Sequence, residues 1–190
     1  GAPSLYAPIT EHDTPRPNTA YGRSKLRAEQ YLQSLGDRLP TVIFRPTGVY
    51  GPRERDYFLM AKSIKGHTDF SVGYRRQEIT FIYVKDLVSA IYRAVEKGTT
   101  GRAYFVSDGG IYESRTFSDL IQRELGNPWV LRIKSPLWLL KLISYMAGWG
   151  ASLMGKTCTL NKDKYQMMKQ RNWQCDTAPM EKELRWTHQH

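Results

Sequence analysis

Cysteine is nearly absent: Cys158 and Cys175 are the only two in 190 residues, too few for a disulfide scaffold. Two free thiols fit the cytosol, and a cytoplasmic location is expected on that ground. No CxxC or HExxH occurs and the four His are scattered, so no metal-ligand set is expected. The chain is short of acid rather than rich in basic runs. Its net charge is +10, yet no basic run exceeds the pair Arg75-Arg76 and the excess is spread along the whole length. A diffuse excess of this kind does not form a nucleic-acid groove, so no nucleic-acid partner is expected. Internal repeats and low-complexity tracts are missing too. So is an uninterrupted run of about twenty apolar residues: residues 136 to 155 come closest, but Lys141, Gly148 and Gly150 break them. That segment suits a lid over a pocket or a packing helix between subunits. A helix lying on a membrane surface, flanked by Lys134 and Lys156, is physically allowed.

What is present alternates. Gly1-Ala2-Pro3 opens neither a signal peptide nor a Met-initiated domain, and the chain reads as cut from something longer. Pro3, Pro8, Pro15 and Pro17 keep the first stretch a surface loop. Asn18 is a good N-cap for a helix from Thr19 to Leu35, stopped by Gly36, whose spacing puts Tyr21, Lys25, Ala28, Leu32 and Leu35 on one buried face. Thr41 to Arg45 has the composition of a strand covered on both sides, which points to a parallel sheet. Gly48, Gly51 and Pro52 mark a turn, and Asp56 to Lys65 a helix ended by Gly66. A strand from Ile79 to Val84, a helix from Lys85 to Glu96 with Leu87, Ile91 and Ala94 inward, and a strand from Ala103 to Ser107 complete a β-α-β-α-β order. Beyond Gly110 the pattern loosens into what reads as a separate, smaller lobe. Thr116 with Asp119 resembles a capping box for a helix to Leu125, Val130 to Ile133 a short strand, and Pro136 the start of the apolar helix. Helices from Leu160 to Gln170 and from Asp176 to Arg185 follow, the latter carrying Met180 and Leu184, and His188 and His190 belong to a frayed end.

One pair stands out chemically. Tyr21-Gly-Arg-Ser-Lys25 puts a phenol and an ammonium four apart on one helix face. A phenol titrates near 10, so acid/base work near pH 7 needs a shift of about three units, or about 4 kcal/mol. A neighbouring cation in a partly dry site supplies this directly. A solvated surface pair is the plain alternative.

Two further segments accompany it: Arg45-Pro-Thr-Gly-Val-Tyr-Gly-Pro52, and Phe81-Ile-Tyr-Val-Lys-Asp-Leu87 opening a helix. In that order, and after the Pro-rich approach from Glu11 to Asn18, they resemble the extended short-chain dehydrogenase/reductases, the NAD-dependent epimerase/dehydratase family. The likeness is good over residues 9 to 110 and weak beyond. It implies an α/β fold: the C-terminal part of a Rossmann-type parallel sheet with helices, plus a small mixed substrate-binding lobe. Residues 1 to 50 and 80 to 107 would form the partial nucleotide-binding region, residues 51 to 79 and 108 to 190 the lobe. Tyr21 would be the catalytic acid/base. Lys25 would lower the Tyr21 pKa and hold the nicotinamide ribose of NAD or NADP. Pro46, Thr47, Gly48 and Val49 would lie along the nicotinamide, with Gly48 allowing close approach. Arg53 could meet an anionic substrate group or pair with Glu54 or Asp56. Pairing of two copies through a helix bundle that includes the Tyr-bearing helix is a habit of the family.

The chain also departs from that pattern. The GxxGxxG turn that holds the cofactor pyrophosphate is absent from these residues. The Ser or Thr that partners the catalytic Tyr finds only Ser4, a poor substitute, so weak cofactor binding and no turnover are expected of this piece alone. Members that bind nucleotide-diphosphate sugars often carry an Arg two residues before the position of Phe81; here it is Ile79. Arg75 and Arg76 could stand in for it from the neighbouring loop, or simply be solvated. The resemblance thus implies a nucleotide-sugar epimerase or dehydratase, with a reductase of a less charged, hydroxysteroid-like carbonyl as the alternative. A non-catalytic binding protein of the same fold is the reading of another class.

Overall fold

A computed structural model describes residues 7–153 and 162–189. Ser4, Lys156, Cys158 and His190 lie outside them.

The first helix, α1 (Ala20–Ser34), starts one residue later than its sequence suggests. Thr19, not Asn18, is the N-cap: its backbone is extended and its hydroxyl accepts from the Gly22 amide at 3.0 Å. Gly36, at φ +53°, turns the chain after the helix. The expected buried face is not the seated one. No residue of α1 is buried, and Tyr21 is 67% exposed. Half-buried positions are Gly22, Leu26, Glu29 and Leu32, so that Leu32 alone of the expected face within the helix is partly seated, and the Glu29 carboxylate pairs with Arg45 below the helix. A polar anchor at position 29 rotates the seat away from Tyr21 and Lys25.

Strand β1 (Ile43–Pro46) runs parallel to β6 (Ala103–Val106), and β2 (Gly48–Tyr50) parallel to β5 (Phe81–Tyr83). Gly48 is therefore in a strand; the turn begins at Gly51 and includes Arg53 in the left-handed region at φ 74°. Coverage on both sides, expected of β1, is incomplete: its residues are half-buried or exposed, whereas Tyr104 and Val106 on β6 are fully buried. Helix α2 (Asp56–Lys65) follows, then β3 (Thr68–Val72), which pairs parallel with β8 (Leu131–Ser135). A short antiparallel pair, β4 (Glu78–Ile79) with β7 (Tyr112–Glu113), splits the expected strand at Ile79 from β5.

Helix α3 (Val84–Lys97) buries Asp86, Ala90 and Ala94, a stripe at i, i+4, i+8. Ile91, expected inward, is 44% exposed. Helix α4 (Ser114–Glu124) has no side-chain cap, so the Thr116/Asp119 capping box does not form; Asp119 binds Arg115 and Arg132 instead. Helices α5 (Leu137–Leu153), α6 (Lys162–Lys169) and α7 (Ala178–Leu184) close the chain. Among the described residues no helix is long and apolar enough to cross a membrane.

The core gathers Ile82, Ala90, Ala94, Tyr104 and Val106 with Met180, Leu184 and Trp186. Residues 178 to 186, read from sequence as part of the outer lobe, thus pack into the sheet core. The Trp186 indole donates to the Ser89 hydroxyl at 2.7 Å, and Glu183 takes both Arg102 and the Tyr104 hydroxyl.

Candidate active site

Tyr21 and Lys25 sit one turn apart near the start of α1, and the Lys25 ammonium lies 5.5 Å from the centroid of the Tyr21 ring. Both are exposed. The helix start is held from far along the chain: the Ala20 amide donates to Asp163 on α6 at 2.9 Å, 143 residues away. Below it, Pro46 is exposed at the end of β1, while Thr47 joins β6 through its amide and hydroxyl, both bonded to the Val106 carbonyl at 3.1 and 3.3 Å. Gly48 donates to the Thr80 carbonyl at 3.2 Å, and a Cβ there would run into the Tyr57 hydroxyl and the Phe81 ring. The room that glycine leaves is thus filled by two aromatic side chains of the protein itself.

Phe81 is the hub of that cluster. Its ring stacks on Phe117 at 4.5 Å and meets Tyr57 and Tyr112 at 5.4 and 5.6 Å. Burial, helped by the Glu54 and Asp56 charges, pushes the Tyr57 phenol up to about 12. Burial and a 2.9 Å hydrogen bond to Asp108 take Tyr112 to about 12 as well. These two phenols stay protonated across the physiological range.

Val49 leads from the strand into an open cleft of about 660 Å³ between α2, β3 and α6. Leu59, Met60, Ile64, Phe70 and Met167 supply its apolar walls, and Glu54, Asp56 and Asp69 its charged groups. Glu54, one residue before the Arg55 N-cap, accepts from the Asp56 and Tyr57 amides at 2.8 and 2.6 Å and so takes up the first two amides of α2. Neither Tyr21 nor Lys25 lines this cleft. Arg53, Arg75 and Arg76 do not line it either. Arg76 is engaged by Glu78 at 2.6 Å and Glu113 at 3.1 Å, and Glu54 is taken up by the Asp56 and Tyr57 amides. The structure therefore brings Tyr21 to Lys25, and Val49 to the cleft, but gathers no arginines there. Asp163 and Asp69 escaped the sequence reading. Asp163 acts across the whole fold and has no local signature, whereas an acid inside the β-rich run Thr68–Val72 was a signal available to be used.

Residues 2–107, more than half of the chain, match the family described as NAD dependent epimerase/dehydratase. The chain belongs to that family. Among curated relatives of this epimerase/dehydratase chain, a farnesyl-dihydroquinoline-oxide ketoreductase of Stigmatella aurantiaca is 27% identical over 188 residues, covering 86% of this chain and 54% of the relative. The dTDP-D-glucose 4,6-dehydratase of Mus musculus is 32% identical over 107 residues, covering 53% and 30%. A decarboxylating sterol-4-alpha-carboxylate 3-dehydrogenase of Dictyostelium discoideum is 24% identical, covering 82% and 55%. The chain spans about half or less of the length of these relatives. Among solved structures, DesIV, a dTDP-glucose 4,6-dehydratase from Streptomyces venezuelae with NAD and TYD bound, superposes with a TM-score of 0.73 at 17% identity, covering 97% of this chain and 50% of that one. RMD from Pseudomonas aeruginosa complexed with NADPH gives 0.70 at 20%, covering 100% and 57%. At those identities the likeness speaks for the fold, a Rossmann-type α/β arrangement.

Whether the residues present suit such a cofactor is testable on this fold. The one glycine pair that follows a strand is Gly109-Gly110, and its amides are taken by Ser107 at 3.1 Å and Asp108 at 2.8 Å. They offer no phosphate cradle. Tyr21 and Lys25 are exposed side by side, a phenol and an ammonium both open to a ligand.

Proposed function

We propose that these residues belong to an NAD(P)-dependent oxidoreductase that acts at a carbinol or carbonyl carbon, with Tyr21 as acid/base and Lys25 beside it. The observation that carries this reading is the Lys25 ammonium 5.5 Å from the Tyr21 ring in a chain of this family. When bound, the nicotinamide supplies or accepts the hydride. Tyr21 gives a proton to the carbonyl oxygen in reduction and takes one from the hydroxyl in oxidation, so one side chain serves both directions. Lys25 stands beside the Tyr21 ring and offers donors to the ribose hydroxyls. Asp163 holds the Ala20 amide and so fixes where the Tyr21 backbone sits. The 190 residues alone bind the cofactor weakly, since its pyrophosphate finds no glycine turn among them. The compartment proposed is the cytosol.

A nucleotide sugar is the substrate the family motifs suggest. A second reading, an uncharged carbonyl, has a specific observation in its favour: Ile79 stands where an arginine would meet a diphosphate, and Arg76 is already paired with two carboxylates. The test is Lys25→Met in the full gene product. We expect weaker NAD(P)H binding and a loss of turnover of about a hundredfold or more, the range of one positioned acid/base group. Unchanged values for both would end the proposal.

A further inference from the structure

We infer that the cleft between α2, β3 and α6 selects an apolar molecule carrying one hydrogen-bond donor, an ammonium or hydroxyl, and rejects a nucleoside diphosphate, with Asp69 as the specificity-determining residue. This rests on the reading above in one respect only, that the chain is part of an oxidoreductase; the cleft, entered from Val49 of the family motif, is taken as the place of its substrate.

Asp69 is 8% exposed, lines the cleft, and makes no hydrogen bond or ion pair among the described residues. Its strand neighbour Arg132 is turned away to Asp119 and Gln122, at 2.9 and 3.1 Å. With no protein donor, the little-exposed Asp69 carboxylate has only the solvent of the cleft as partner, and a ligand donor takes that place. The bond so formed is charge-assisted when the donor is an ammonium. Around it the walls are aliphatic, aromatic and thioether side chains with the hydroxyl-bearing Tyr57, Ser63 and Thr68 among them, and the other charged groups are the carboxylates of Glu54 and Asp56. No cation lines the cleft among the described residues. A diphosphate placed here would face three carboxylates and no arginine. The one amide side chain in the wall, Gln77, is already donating to the Gln170 carbonyl at 2.7 Å. Specificity thus comes from repulsion of the wrong anion as much as from attraction of the right donor.

Isothermal titration of the chain with adamantan-1-amine, adamantan-1-ol, adamantane-1-carboxylate and UDP separates these head groups on one apolar body. The amine and the alcohol bind, the carboxylate at least tenfold more weakly, and UDP does not displace the amine. Asp69→Asn reduces the preference for amine over carboxylate at least tenfold. If that variant fails to fold, Phe70→Arg decides, because Phe70 is exposed at the mouth of the cleft: it raises UDP affinity at least tenfold and lowers that of the amine. UDP competing at concentrations equal to or below those of the amine, no binding of the amine, or an unaltered preference in the variants would overturn the inference. None of these titrations needs cofactor or turnover. Failure of the Tyr21 chemistry therefore leaves their outcome intact, and their failure leaves the chemistry standing.

Discussion

Cys175 is half-buried against Ser107, and burial pushes its thiol up to about 11 from the ordinary 9.0. Together with Tyr57 and Tyr112, each at about 12 against an ordinary 10.0, it gives the fold three groups that keep their proton where the unfolded chain has already lost it. In that window the folded state binds more protons, so stability falls as pH rises. The contribution is whole below about pH 9 and is lost progressively towards about pH 12. Chemical denaturation midpoints taken at pH 8, 10 and 11 should decline in that order, and a flat profile would contradict these environments. Single residues are also where sequence periodicity misleads. On α3 the inward stripe starts at Asp86, which is 2% exposed and accepts from the Gln189 amide at 3.2 Å. An acid with its partner 103 residues away looks in sequence like a surface residue, and apolar spacing alone points to Ile91 in its stead.

At the scale of elements, local signals were legible wherever a local force decides. Gly66 does end α2, and the apolar helix does begin after Pro136. Helix α1 has an end cap that can be weighed directly: Thr19→Ala removes the acceptor for the Gly22 amide and should cost about 1 kcal/mol. At the other end of the chain, α7 finishes on Arg185 in the left-handed region, φ 49°, a place that glycine fills without strain. Arg185→Gly should therefore raise stability by about 1 kcal/mol, the lower end of the cost of that conformation for a residue with a Cβ. Denaturant unfolding reads both, and the two shifts must differ in sign. What sequence could not show was the partner of each element. The pairing of β3 with β8 joins segments some sixty residues apart, and the seat of α1 depends on Glu29 finding Arg45 across a loop. The motif residues of the site were legible because they lie close together in sequence; Asp69 and Asp163 act through neighbours that only the fold brings near.

At the scale of the molecule, two helices expose large apolar side chains. Val88, Tyr92 and Val95 form an exposed stripe on α3, Val95 being 81% exposed, and α1 exposes Tyr31 towards its C-terminal end. We propose that two copies pair through α1 and α3. Sedimentation should then give a dimer, and Tyr92→Glu with Val95→Glu a monomer; a wild-type monomer at tens of micromolar would refute the pairing. The central claim concerns chemistry, and one measurement reaches it most directly. In the full gene product, Tyr21→Phe keeps the ring and removes the hydroxyl. With NADH and NADPH against a panel of cyclic ketones and sugar nucleotides, the account predicts turnover reduced by about a hundredfold to ten-thousandfold, with cofactor affinity unchanged. Turnover equal to that of the unmodified protein would contradict it.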